Sequence, residues 1–241
     1  MDTRRQMADV PDADPAPYQR VVPDFPRYGV LFWQRVPDVP EHPVIEIAAA
    51  GSAPIAVDVS RLAELPRREL VADFHCVCGW TAPELRWSGV SFRAFYETVI
   101  LREVRPLDGV DHVIFSGSDG YRSVLTIADA LGDDVLLADR LADLPLTGDH
   151  GAPVRLVSPL QYGYKSTKHL CAIDLVTGEP LSLYSAPIRI VLDTLLKPHP
   201  RARVWEEERH RYLPAWMVRA AYRAFVPLVR RVNQRRRMRW R

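Results

Sequence analysis

Residues 67–90 read RRELVADFHCVCGWTAPELRWSGV. Leu70 to Cys78 alternates as a strand does and runs into a turn at Gly79. Trp87-Ser88-Gly89-Val90 reads as a second, turn-rich piece. Cys76 stands three residues before Gly79-Trp80, with Cys78 two positions after it. A soft thiolate suits a thiophilic metal, and a cysteine beside a polar turn is more available than one in a core. Taken alone, these residues leave three readings open: a buried structural cysteine, a metal ligand, or a reactive thiol.

Working outward, the flanks read as many short strands with a few short helices. Val44–Ala48, Ile55–Val59, His112–Phe115, Tyr121–Leu125, Val135–Ala138, Val154–Val157 and His169–Val176 are predicted strands. Ser118-Asp119-Gly120 is the turn between two of them. Ser91 is placed to cap a helix over Phe92–Ile100, and Ser60 one over Arg61–Leu65. Ile127–Leu131 is a short helix, and Pro214–Val232 a longer one that Pro227 should kink. Twenty-one prolines against twelve glycines favour loops and strands over a helical bundle. The βαβ alternation of a doubly wound nucleotide fold is missing, so the predicted class is α+β, strand-rich, with a mixed sheet.

A chain of 241 residues with 47% hydrophobic and 26% charged residues can bury one sizeable core. Its net charge of +2 hides an asymmetry. Residues 201–241 hold thirteen Arg and three Glu, about +10, which leaves about −8 for the rest. The expected organisation is a disordered segment over 1–20, a domain over 21–200 and a basic helical tail over 201–241. Such a tail suits an acidic protein or an anionic membrane face, or is simply solvated. No base-stacking or groove-reading module accompanies the charge, so nucleic acid is not expected as a partner. Three cysteines, Cys76, Cys78 and Cys171, at irregular spacing argue against a disulfide framework. The start of the chain lacks the apolar stretch of a secretory signal and no run is long enough to span a bilayer, so the expectation is a cytoplasmic protein, peripheral to the membrane at most.

The second chemical stretch is residues 149–170, DHGAPVRLVSPLQYGYKSTKHL. It concentrates Arg155, Lys165 and Lys168 with Ser166, His150 and a glycine, Gly163, at which a backbone can come close. Those are the groups that a fixed phosphate needs: a guanidinium fork, point charges and a hydroxyl donor. A basic loop between two strands is the plain alternative.

Together, D-F-H-C-V-x-G-W with W-x-G-V and then H-G-x-P-x-R-L-V-x-P with Y-G-x-K-S-x-K resemble the signatures of the sulfite-oxidase-like molybdopterin oxidoreductases. The resemblance covers roughly residues 40–176. It implies that the Cys76 thiolate is the protein's bond to molybdenum and that His150, Arg155, Ser166 and Lys168, with Lys165 beside them, hold a molybdenum–molybdopterin cofactor. A similar S-x-D-G-Y turn in relatives implicates Asp119. Cys78 departs from the small or polar residue usual there. The stretch Phe25-Pro26-Arg27-Tyr28 to Trp33-Gln34-Arg35 departs from the Arg-Asn-His form of true sulfite oxidases, so an anion-binding arginine cluster is not implied, with Arg27 and Arg35 as its candidates. The implied activity is oxygen-atom transfer between a small substrate, with sulfur-containing molecules among the candidates, and the metal, with electrons passing to a separate partner. The alternative is a non-catalytic cofactor-binding or interaction protein of the same fold.

Overall fold

The motif-bearing segment folds into a long hairpin. Strand β4 (Arg67–Cys76) and strand β5 (Trp80–Ser91) pair antiparallel, Cys76 opposite Trp80 and Leu70 opposite Trp87. The computed structural model describes residues 16–27, 36–180 and 197–223. The first strand ends at Cys76, two residues short of the expectation. Gly79 adopts φ 93°, and its N–H closes back on the Cys76 carbonyl at 2.9 Å, which turns the chain. An irregularity in the pairing between Ala72 and Phe74 sits just before Phe74-His75-Cys76, where a bulge re-aims the side chains that follow.

The turn expected at Trp87-Ser88-Gly89-Val90 is instead the far end of β5. Gly89 is there for a non-local reason. A Cβ on it would lie 2.0 Å from the Leu137 carbonyl oxygen, so only glycine lets the next strand approach. That neighbour is β8 (Leu136–Leu141), and the β5–β8 register shifts at Ser88/Gly89.

Two sheets result. The first has six strands: β1 (Arg20–Val21) runs parallel to β5, β4 pairs with β5, and β8 joins β9 (Leu144–Pro145) and β10 (Arg155–Val157). The second has five, ordered β3 (Ile55–Asp58), β2 (Val44–Ala49), β11 (Leu170–Val176), β6 (His112–Gly117), β7 (Arg122–Thr126). The β2–β11 pair is parallel and the others antiparallel, so the sheet is mixed, as the strand-rich α+β reading requires. The two sheets share one core. Ile45, Ile47, Phe115 and Ile173 from the second meet Val90, Leu137 and Leu156 from the first, with Phe92, Phe95 and Ile100 between. Burial of such side chains stabilises by about 1.5–3 kcal/mol each.

Ser91 caps α1 (Phe92–Phe95) as its position predicts, its hydroxyl accepting from Ala94 N at 3.1 Å. The helix does not stay regular to Ile100. Tyr96–Val104 widens into a π-helical stretch, closed by Arg105 N–H on the Ile100 carbonyl with Arg105 at φ 52°. At Val59–Glu64 the cap is Asp58, not Ser60: the Asp58 carboxylate accepts from Ser60 N, and the turn is 3₁₀. α2 (Ile127–Ala130) is capped by Thr126.

Position 200 falls inside a packed strip. Ala202 and Val204 are fully buried, and isolated bridges join Gln161 to Arg203 and Pro198 to His210. Residues 215–223 are helical. Arg35, Pro227 and most of the segment over 1–20 lie outside the described residues, whereas Ala16 and Val22 are buried. No described helix is long and apolar enough to cross a membrane.

Candidate functional site

Cys76 ends β4 with its side chain turned inward, 6% exposed, among Val22, Trp80 and Ala82, with Cys78 packed against the same group. Burial pushes the thiol up, well above its usual range, and the Cys78 thiol beside it adds to the shift. None of the three cysteines forms a disulfide. Next to Cys76, His75 Nδ1 bonds Thr81 Oγ1 at 2.8 Å, and the ring meets Trp205 edge-on at 5.2 Å.

The second signature lies beside this strand through aromatic side chains. The Arg155 guanidinium carbon is 5.5 Å from the Phe74 ring and 5.0 Å from the Trp87 ring. Gly163 sits so close that a Cβ there would lie 2.1 Å from Phe74 Cζ. Phe25 stacks on the His150 ring at 4.6 Å and meets Phe74 at 4.9 Å, so this residue of the N-terminal segment packs on the second signature. Composition gave no cue to this layer, because aromatic residues at these positions read equally well as core.

Arg155 is fully buried. Its Nε donates to Leu156 O, Nη1 to His150 O at 3.0 Å and Nη2 to Ser166 O at 3.1 Å. The fork expected to meet an anion thus also ties together the backbones of the two halves of the signature. Burial pushes Arg155 down to about 9, so it remains a cation at neutral pH. Lys168 Nζ donates to Asp149 O at 2.7 Å. Its ammonium is pushed down to about 7, first by burial, then by repulsion from Arg155 and Arg27 that Asp149 and Asp119 offset only in part. Arg27 approaches Asp149 at 3.6 Å. Asp119 accepts from Tyr121 N at 3.0 Å and shapes its turn, while Ser118 N donates to His169 O beside Lys168. Ser166 Oγ accepts from Ser158 N at 3.1 Å.

Cys76, His150, Arg155, Ser166, Lys168 and Asp119 are therefore drawn into one neighbourhood. Lys165 is directed elsewhere. Its buried ammonium donates to Val124 O at 2.6 Å and Pro200 O at 2.7 Å, and burial pushes it down to about 7. Sequence spacing could not show this, because both carbonyls come from distant segments.

The donor set has the chemistry of a phosphate-bearing, thiolate-anchored group. Buried and half-buried cations that repel one another gain from an anion among them. Among the described residues no cluster of three or more His, Cys, Asp or Glu could hold a metal ion. Fold and site define a strand-rich α+β domain in which a buried thiol lies beside a cluster of cations, an arrangement suited to an anionic cofactor.

Comparison with known proteins gives the family. The sequence model of the oxidoreductase molybdopterin-binding domain matches residues 34–184, and the chain belongs to that family, whose cofactor is molybdenum–molybdopterin. An uncharacterized oxidoreductase, YuiH, of Bacillus subtilis is 32% identical over 121 residues, 50% of this chain and 59% of the relative. The protein-methionine-sulfoxide reductase catalytic subunit MsrP of Campylobacter jejuni is 26% identical over 186 residues, 70% of this chain and 61% of the relative. The sulfane dehydrogenase SoxCD of Paracoccus pantotrophus aligns with TM-score 0.48 and 19% identity over 56% of this chain and 38% of that one. The chain spans about three fifths of the length of the two curated relatives.

Proposed function

We propose that this chain is a molybdenum-dependent oxidoreductase that moves an oxygen atom between a small substrate and the metal, with electrons passing to a separate partner. The observation that carries the reading is the adjacency of Cys76, through Phe74, to the Arg155–Lys168 cations. Cys76 would ligate the metal. Arg155, Lys168 and the Ser166 hydroxyl would hold the pterin phosphate, and His150, stacked under Phe25, would face the pterin. When bound, molybdenum–molybdopterin supplies two-electron oxygen-atom transfer.

The chain's own residues do three things in this scheme. The Phe25, Phe74, Trp80 and Trp87 cluster keeps water from the cysteine side of the site. Lys168, close to half protonated at neutral pH without an anion, is driven to its charged form by a bound phosphate, so binding takes up a proton there. Trp205, 49% exposed and touching His75, offers a redox partner a surface one residue removed from the ligand.

Elemental analysis of purified protein tests the assignment, with about one molybdenum per chain expected. Cys76→Ser should abolish turnover with artificial donors and acceptors while leaving folding intact. Unchanged activity at full metal content would remove Cys76 as ligand. Full metal content with no turnover on any sulfite-like or sulfoxide-like substrate would favour the non-catalytic alternative.

A further inference from the structure

The turn that carries Cys76 is held from outside by groups that belong to neither sequence signature. Gln19 Nε2 donates to Cys76 O at 3.4 Å, and Arg20 N donates to Gly79 O at 3.1 Å. From the far side of the chain, Arg209 Nη1 donates to Val77 O. Three of the four carbonyls of the turn are thus engaged by residues from segments that lie far apart in the sequence.

Arg209 is the unusual member. It is only 1% exposed, its guanidinium lies 5.0 Å from the Tyr162 ring centroid, and its Nε and Nη2 face Glu207 Oε1 at 3.4 Å. Glu207 is gripped in turn by Arg219 Nη1 at 2.7 and 2.5 Å, and Arg219 lies 3.7 Å over the Tyr18 ring. Tyr18 leads directly into Gln19 and Arg20. The contacts close a circuit: Cys76 turn, Arg209, Glu207, Arg219, Tyr18, Gln19, and back to the turn. Desolvating a guanidinium is costly and is tolerated when the charge is paired and hydrogen-bonded. A leucine would fill the same space without that cost. What leucine lacks is a donor for the carbonyl next to the cysteine.

We infer that Arg209 is a positioning residue for the metal-ligating turn: by holding Val77 O it fixes the direction in which the Cys76 sulfur is presented. The inference rests on Cys76 being the ligand. Glu207 and Arg219 hold Arg209 in its own orientation. The Arg209 contact is made to the backbone of Val77, next to the cysteine. Lysine keeps the charge but has no planar fork to engage Glu207 and Val77 O together.

The test uses the full chain with Arg209→Gln and Arg209→Lys. In protein prepared without molybdate, alkylation of each cysteine by iodoacetamide is followed by peptide mass spectrometry. Arg209→Gln is expected to speed modification of Cys76 by about tenfold while Cys171 keeps its rate, with the lysine variant between. In loaded protein, the Mo(V) resonance spectrum should change in Arg209→Gln and return towards the parent in Arg209→Lys. Equal acceleration at Cys76 and Cys171 would mean general loosening and would overturn the inference. So would a glutamine variant with the parent's alkylation rates and spectrum. If alkylation responds as expected but the parent never carries molybdenum, the clamp on the turn stands and the cofactor assignment falls.

Discussion

At the scale of single residues, the lysines give the site a pH signature. Lys165 and Lys168 are held at about 7, against an ordinary value near 10.5, so between those pH values the unfolded chain binds more protons than the folded one. Stability of the cofactor-free protein is therefore expected to rise as pH goes from 7 towards 10, and the contribution is lost as pH falls through 7. Lys168→Met should flatten that rise, seen as a smaller difference in urea midpoint between pH 7 and 9.5, and should lower molybdenum occupancy in the loaded protein. The chemistry of these residues was legible in the sequence, because thiol, guanidinium and ammonium at motif spacing announce what they can bind. Their directions were not. That Lys165 bonds Val124 O and Pro200 O, and that Arg155 ties His150 O to Ser166 O, depends on backbone from remote segments.

At the scale of elements, period-two alternation and turn residues located most strands, and the Ser91 cap was legible from its hydroxyl alone. Trp87-Ser88-Gly89-Val90 misled because serine and glycine are turn formers in any local reading. Gly89 serves the close passage of β8, which only the folded sheet reveals. Gly89→Ala puts a methyl group against rigid backbone and should cost roughly 3 kcal/mol, the upper end of overpacking penalties, read as a lower urea midpoint. Gly163→Ala pushes on the Phe74 ring, which can yield, and should cost about 1–2 kcal/mol. Its sharper effect should be on metal content, because Phe74 is two residues from Cys76 and lies against Arg155. The π-helical widening at Tyr96–Val104 had no sequence cue, since the apolar face Phe92, Phe95, Val99 fits a regular helix as well.

At the scale of the whole molecule, the described residues beyond position 200 expose apolar groups within a stretch of cationic sequence. Tyr212 is 62%, Trp216 63% and Met217 42% exposed, on the segment whose sequence carries about +10. An acidic redox protein docking there should show association that weakens with salt, as the Debye length of about 10 Å at 0.1 M requires. Trp216→Ser should lower kcat/KM with such a protein and leave turnover with a small dye unchanged. Sedimentation with anionic liposomes that is lost on removing residues 213–241 would move the docking surface to a membrane instead. The grip on the cysteine turn also has a temporal meaning. Arg209 follows Val77 by 132 positions, so a ribosome must add all of these residues before the last latch can close. Until then the Val77 carbonyl lacks its guanidinium donor, and only the Gln19–Arg20 side grips the turn. The loop around the sulfur therefore takes its final form late, as a joint product of two stretches that never meet until the chain between them has been made.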